Sequence, residues 1–192
     1  MNLIKKSIGI ILACIVTTGF ANNFFFKQEE PITVSTQPVE LPVIRIKVEP
    51  LKIDQQEMFL DAIGMRESSN RYDVVNKWGY MGKYQFGRKT LRNLGYKISK
   101  KEFLNNPHLQ EQAMLDLLSH NKKILKNYII YWDGKTINGE TITESGILAA
   151  AHLAGPGNVR RYFKKGKDFS DGNGTKLTKY LTQFSGYELN IK

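Results

Sequence analysis

The sequence predicts a predominantly α-helical α+β domain, preceded by an N-terminal segment that is not part of it. Three observations carry this prediction. Apolar residues recur at helical spacing after Asp54, a stretch rich in glycine and aromatic residues interrupts them at residues 76–87, and residues 1–52 lack the pattern. The chain has 192 residues, 41% of them hydrophobic and 24% charged, which is typical of a globular protein with one core.

Residues 1–21 have the layout of a secretory signal peptide. Lys5 and Lys6 precede an apolar run that is followed by the small residues Gly19 and Ala21, and cleavage is expected after Ala21. Two alternatives stay open. The apolar run could remain as a membrane anchor to about residue 26, or Cys14, the only cysteine, could be lipidated. All three predict export through a Sec-type signal, to the periplasm, the cell envelope or the medium.

Residues 22–52 are predicted to form an extended tether. Prolines recur through this segment among glutamate, threonine and valine residues, a composition that favours an extended chain over a packed core. They are Pro31, Pro38, Pro42 and Pro50. The folded domain is therefore expected over residues 53–192.

The first helix of that domain is predicted to start at Asp54, which is placed to cap it. Phe59, Ala62 and Ile63 give this segment its apolar face, and the polar residues after Glu67 end it. Residues 76–87 suit turns and short strands. A short helix is then expected over residues 90–94, stopped by Gly95.

The longest helical pattern begins near Pro107 and continues to Trp132, with proline where its missing N–H is harmless. The turn dipeptides Asp133-Gly134 and Asn138-Gly139 follow. Thr143 is then a candidate cap for an alanine-rich helix. Two more short helices are expected, one opening at residues 155–163 and one over residues 175–184.

Glu67 is the first candidate for chemistry, because it ends an apolar helix and is followed at once by small polar residues. A partly buried carboxyl group holds its proton more readily than an exposed one, as a general acid requires. Glycosidic oxygens are poor leaving groups that need such a donor. The residues that follow would suit a sugar: flat aromatic faces and an amide that both donates and accepts hydrogen bonds. These are Trp78, Tyr80, Tyr84 and Gln85.

Three motifs in order resemble those of the lytic transglycosylases, a family of the lysozyme-like superfamily that acts on peptidoglycan. They are Glu67-Ser68-Ser69, then the segment from Gly82 to Gln85, then "AAHLAGPGNV" over residues 150–159. The resemblance covers residues 54–184. It implies a lysozyme-like fold and cleavage of the β-1,4 bond between N-acetylmuramic acid and N-acetylglucosamine, with formation of 1,6-anhydromuramyl ends.

The resemblance also implies roles for individual residues. Glu67 would be the general acid and base, supported by Ser68. The candidate substrate-binding residues are Ser68, Tyr84, Gln85, His152 and Tyr180. Tyr84 and His152 are candidates through their own chemistry, since neither matches the family motif, and for His152 a role as a core histidine stays open. Tyr180 would point at Glu67, with Tyr187 as the reserve. Gly82, Gly155, Gly157 and Val159 would shape the chain around the site.

The chain departs from the family pattern in two motifs. Lys83-Tyr84 stands where the family has Leu-Met, and His152-Leu153 stands where it has Tyr-Asn. Two alternatives therefore stay open. One is a lysozyme-type muramidase that uses water and a second carboxylate, for which Asp73 is the nearest candidate. The other is a glycan-binding module without catalysis.

The net charge is +10, or +8 once the predicted signal peptide with Lys5 and Lys6 is removed. This excess fits an anionic partner, and the alternative that it serves solubility alone stays open. For an exported protein that partner is the cell wall or the membrane surface, and nucleic acid is not expected. Basic side chains flank the motifs and could attract carboxylates of peptidoglycan: Lys83, Arg88, Lys89, Arg160, Arg161, Lys164 and Lys165. His108 and His120 have no partners at metal-ligand spacing and are predicted to lie on the surface. No metal and no cofactor are expected.

Overall fold

The computed structural model describes residues 54–192, all within one compact unit, Glu49–Lys192. The predicted signal peptide and tether lie outside the described residues. The elements, in chain order, are α1 (Gln55–Ser68), α2 (Arg88–Asn93), α3 (Lys100–Leu104), α4 (Pro107–Trp132), β1 (Thr136–Ile137), β2 (Glu140–Thr141), α5 (Glu144–Ala154), α6 (Pro156–Lys165) and α7 (Leu177–Gln183). The predicted α+β, mainly helical and lysozyme-like class is confirmed.

The helix ends follow the cues in the sequence. The Asp54 side chain accepts from the N–H groups of Gln56 and Glu57, and the Thr143 side chain accepts from Gly146 N. Pro107 and Pro156 lie in the first turns of α4 and α6. The short helix α3 was not predicted, although Ser99 and Glu102 form a capping box at its start.

The β structure of the described residues is small and falls in three places, one of which is an isolated antiparallel bridge between Ser170 and Lys176. Residues 75–86 form isolated antiparallel bridges, Val75 with Met81 and Met81 with Phe86. The two-stranded antiparallel sheet lies later, where β1 and β2 pair Thr136 with Thr141. Asn138 and Gly139 join these strands, both with positive φ, as a tight hairpin turn requires. The turn dipeptide Asn138-Gly139 predicts this chain reversal. The strands themselves were not predicted, because two residues are too few to show an alternating hydrophobic pattern.

Helix α5 is the centre of the core. Every residue from Ser145 to Ala151 is buried, and α5 packs against α4, α6 and α7. Its small residues allow these helices to approach closely; a Cβ on Gly146 would collide with the backbone oxygen of Leu181 on α7. The fold thus brings the first turn of α5 next to α7. In residues 54–192, no helix has both the length and the apolar character needed to cross a bilayer.

Candidate active site

A cleft of about 530 Å³ opens where the three sequence motifs meet. Its wall includes the end of α1, the 76–87 segment, one face of α4, the α5–α6 junction and the turn at residues 171–173. Its volume is within the range of sites that enclose a small ligand or part of a polymer.

Glu67 is a partly buried carboxylate in the wall of this cleft. It lies in the last turn of α1, and its side chain is 17% exposed. The helix stops two residues later because Ser69 adopts a left-handed conformation, φ 57°. Glu67 is therefore held by a rigid helix at the point where the chain turns away.

Tyr180 on α7 donates a hydrogen bond from its hydroxyl to Oε1 of Glu67, at 2.5 Å. Burial and the adjacent charge of Glu67 raise the pKa of Tyr180, so the hydroxyl keeps its proton and remains a donor. The predicted contact between these residues, 113 positions apart, is confirmed. Tyr187, the reserve candidate, instead packs its ring edge-on against Phe59 at 5.5 Å.

His152 reaches the same carboxylate from α5. Its Nε2 is 3.8 Å from Oε1 of Glu67, and its side chain is 6% exposed. Burial lowers the pKa of His152, and the opposing charge of Glu67 does not reverse this. A neutral imidazole thus lies beside Glu67. A hydrogen bond with the Tyr84 backbone also acts to raise the pKa of His152, but burial outweighs it.

Gln85 faces the cleft from the second motif in an unusual backbone conformation. Its φ is 51°, and its side-chain amide donates to the carbonyl oxygen of Gly82 at 2.9 Å. Gly82 itself has φ 73°, and a Cβ there would collide with the Gln110 side chain. Position 82 therefore requires glycine both for its backbone angle and for space. Strain of this kind in a non-glycine residue such as Gln85 is common at functional sites.

Two exposed aromatic rings lie on the rim of the cleft. Trp78 and Tyr80 are 47% and 46% exposed, as the sugar-facing role predicted for them requires. The Asn76 side chain accepts from the backbone N–H groups of both residues, at 2.9 and 3.0 Å, and so fixes the loop that presents them.

Tyr84 does not line the cleft. The expectation that it offers its ring to a sugar is wrong, because the ring is fully buried and its hydroxyl donates to Glu111 at 2.5 Å. Lys83, expected to attract substrate carboxylates, is also buried. Its ammonium donates to Asp61 at 2.8 Å and to Glu111 at 3.0 Å. The residues that depart from the family pattern here form an internal polar network.

Ser68 also lies outside the cleft lining. Its hydroxyl donates to the backbone oxygen of Lys83 at 2.8 Å and accepts from Arg71 N at 3.0 Å. These bonds tie the end of α1, and with it Glu67, to the second motif.

The third motif forms the junction of α5 and α6. Gly155 adopts φ 76° between the helices and lines the cleft, and Val159 is fully buried. Gly157 is different, because a Cβ there would meet nothing within 4 Å. Its backbone and packing therefore do not require glycine.

The sequence analysis missed several cleft residues, among them Asp171 and Asn121. Asp171 lines the cleft, where its Oδ1 accepts from the N–H groups of Asn173 and Thr175 at 2.9 and 2.7 Å. Asn121 lines it from α4. Asp73, the predicted second carboxylate, is exposed and not part of the lining. The "DGNGT" turn beginning at Asp171 is a recognisable signal, whereas Asn121 has none, because helical periodicity cannot show which cleft a helix faces.

A family model described as the transglycosylase SLT domain matches residues 46–173, two thirds of the chain. The chain belongs to the transglycosylase SLT domain family. Membership of this SLT family supports peptidoglycan as the substrate and lytic transglycosylase activity in general. Tyr180 lies beyond the matched range, so its contact with Glu67 is an observation independent of the SLT match. Comparisons with curated proteins and with solved structures found no match.

Proposed function

We propose that this SLT-family protein cleaves peptidoglycan by lytic transglycosylation, with Glu67 as the general acid and then the general base. The observation that best supports the proposal is the environment of the Glu67 side chain. A carboxylate in a cleft wall, 17% exposed, accepts a hydrogen bond from Tyr180 and lies beside a neutral imidazole. Trp78 and Tyr80 would stack on sugar rings at the rim.

In the proposed reaction, Glu67 gives its proton to the glycosidic oxygen as the bond to the muramic acid C1 breaks. The oxygen leaves as the 4-hydroxyl of N-acetylglucosamine. The 6-hydroxyl of the same muramic acid then bonds to C1 and gives its proton to Glu67. No water is consumed, and one carboxylate serves both steps. The Tyr180 hydroxyl would stabilise Glu67 when it is charged.

The test is the product of digestion. Glu67→Gln is expected to fold normally and to release no fragments from peptidoglycan sacculi, because the amide cannot donate the required proton. Glu57→Gln, on the exposed first turn of the same helix, is the matched control and should keep wild-type activity. Released muropeptides would be analysed by mass spectrometry before and after borohydride reduction. Near-normal activity in Glu67→Gln would contradict the assignment.

A second candidate function is a muramidase that uses water, and Asp171 favours it as a second carboxylate in the cleft. Its Oδ1 already accepts two backbone hydrogen bonds within its turn, which supports a structural role instead. Borohydride separates the two outcomes. Anhydromuramyl ends resist reduction, whereas hydrolysis leaves reducible ends. Binding to sacculi without released fragments would indicate a glycan-binding module.

We also propose that the protein acts outside the cytoplasm. The support is the pattern of Lys5, Lys6, the apolar run and Ala21, and the fact that peptidoglycan is an extracytoplasmic substrate. N-terminal sequencing of the protein recovered from the cell envelope would separate cleavage after Ala21 from a retained anchor or a lipidated Cys14. A tagged copy found in the cytoplasm would contradict export.

A further inference from the structure

Asn121 is a buried amide in the cleft wall whose hydrogen-bonding capacity is unused. Its side chain comes from the middle of α4, and the residue is 1% exposed. Neither Oδ1 nor Nδ2 has a hydrogen-bond partner among residues 54–192. Burying an unpaired amide is unfavourable, and buried polar side chains in folded proteins are nearly always paired. Internal hydrogen bonding therefore does not explain this asparagine.

The cleft lining around Asn121 offers apolar surface. Leu117 lies one turn earlier on the same face of α4, and Ala151 and Leu153 come from α5, which packs against it. All of them line the cleft. His152 belongs to the same lining.

We infer that Asn121 receives the acetamido group of an N-acetylated sugar and makes the protein selective for it. This rests on the proposed function. An acetamido group has one N–H donor, one carbonyl acceptor and a methyl group. The Asn121 side chain offers the complementary acceptor and donor, and Leu117 and Ala151 offer apolar surface to the methyl. A free hydroxyl or an amine would leave part of this amide unpaired.

The polar atoms of Asn121 are covered by surrounding atoms, so a lining side chain must move as the sugar enters. Shielding from water strengthens the amide–acetamido pair once it forms.

The test compares binding to sacculi before and after de-N-acetylation. Glu67→Gln is used as the background so that the substrate survives, and the dissociation constant is measured by sedimentation with the sacculi. We expect a preference of about tenfold or more for N-acetylated sacculi, which Asn121→Leu reduces to about threefold or less, because the leucine cannot pair with the acetamido group. The new amines affect both proteins equally, so their charge cancels when the two preferences are compared.

Stability measurements separate this role from a structural one. Leucine is apolar and of similar volume, so Asn121→Leu should keep or raise the melting temperature, since it removes an unpaired buried amide. Asn121→Ala is the second variant, in case the leucine does not fit, and should lose the preference as well. Leu118→Ala, a fully buried neighbour outside the cleft lining, should lower the melting temperature and keep the preference.

Failure of the inference is distinguishable from failure of the proposed function. If the wild type releases fragments while the asparagine variants keep the full preference, the inference is overturned and the function stands. If the melting temperature falls and the preference is unchanged, Asn121 is structural, and the inference is again overturned. If the wild type neither binds nor cleaves either kind of sacculus, both are overturned.

Discussion

Two side chains from different helices surround the carboxylate of Glu67. Tyr180 supplies a hydrogen-bond donor, and His152 supplies a neutral, buried ring. A hydrogen bond to a charged group is worth about 1.5–3 kcal/mol. In the proposed first step Glu67 becomes charged as it gives its proton to the glycosidic oxygen, so a hydrogen bond that stabilises the carboxylate would lower the barrier of that step.

Tyr180→Phe removes this donor and keeps the ring. We expect the rate of sacculus digestion to fall about 10–100-fold, with the protein still folded, because one hydrogen bond to a charged group is lost. Tyr187→Phe is the matched control, since Tyr187 packs on Phe59 and its hydroxyl has no hydrogen bond within the described chain. Its rate should stay within about twofold of wild type. Equal effects of both changes would contradict the assigned contact.

His152 links stability to pH. Its folded pKa lies below the ordinary value of 6.5, because burial penalises the charged ring. Unfolding below about pH 6.5 therefore takes up a proton, and the free energy of unfolding decreases as the pH falls from that value towards the folded pKa. His152→Gln should flatten the melting-temperature profile below about pH 6.5.

The control for this profile is His108→Gln, because His108 is exposed in the first turn of α4. A constant offset in melting temperature is expected from any buried substitution, so the slope is the informative quantity. If His152→Gln keeps the wild-type slope, another group is responsible for the acid sensitivity.

At the scale of elements, the second motif contains Lys83, which departs from the family pattern and is accommodated by a buried polar network. Burial alone would lower the pKa of Lys83, but hydrogen bonds to Asp61 and Glu111 outweigh it and raise the pKa, so the ammonium stays charged. Glu111 in turn accepts from Tyr72 and Tyr84. This network anchors the segment that carries Gln85 to both α1 and α4.

Packing of α5 against α7 sets the position of Tyr180. Gly146→Ala would drive a Cβ into the backbone oxygen of Leu181, the residue after Tyr180. Because backbone cannot turn aside as a side chain does, we expect the free energy of unfolding to decrease by about 2–3 kcal/mol and activity to decrease with it. Denaturant titration measures the first and sacculus digestion the second.

Gly157→Ala is the matched control, because a Cβ there meets nothing within 4 Å and lies within α6. Its free energy of unfolding should stay within about 0.5 kcal/mol of wild type. If both alanine variants are equally stable, α5 and α7 are less closely packed than their contact implies.

At the scale of the whole molecule, the net charge of +10 suits a polyanionic wall. Exposed basic residues are grouped on α6, which begins at the cleft: Arg160, Arg161, Lys164 and Lys165. Binding of the Glu67→Gln protein to sacculi should therefore weaken as NaCl is raised from about 0.05 M to about 0.5 M, since salt screens exposed charges.

The pair Arg160→Gln and Arg161→Gln should reduce both the affinity and its salt dependence. The matched pair is Lys100→Gln and Lys101→Gln, which removes two exposed charges on α3, outside the cleft lining. It should change binding less. Affinity that does not respond to salt would mean that the charge serves solubility alone.

The sequence by itself determined the helical class, the order of the main helices and the position of Glu67. Helix periodicity, caps and turn dipeptides are local properties, so they can be recognised without the fold. The resemblance to a known family added Tyr180 to the candidate site. Members of a family share the relative positions of residues that lie far apart in the sequence, and a local pattern does not contain this information. The short α3 and the two-residue strands were beyond this reasoning, because such segments are too short to show a period.

Only the tertiary structure decided which side chains share the cleft. The sequence predicts that Lys83 lies on the surface and that Tyr84 faces a sugar. Both side chains are instead buried, with Lys83 bonded to Asp61 and Tyr84 to Glu111. Asn121 and Asp171 were not recognised as cleft residues, since their relation to Glu67 depends on how α4 and the 171–173 turn pack. Burial, and with it the protonation of Tyr180 and His152, is a property of packing between distant segments and cannot be read from local spacing.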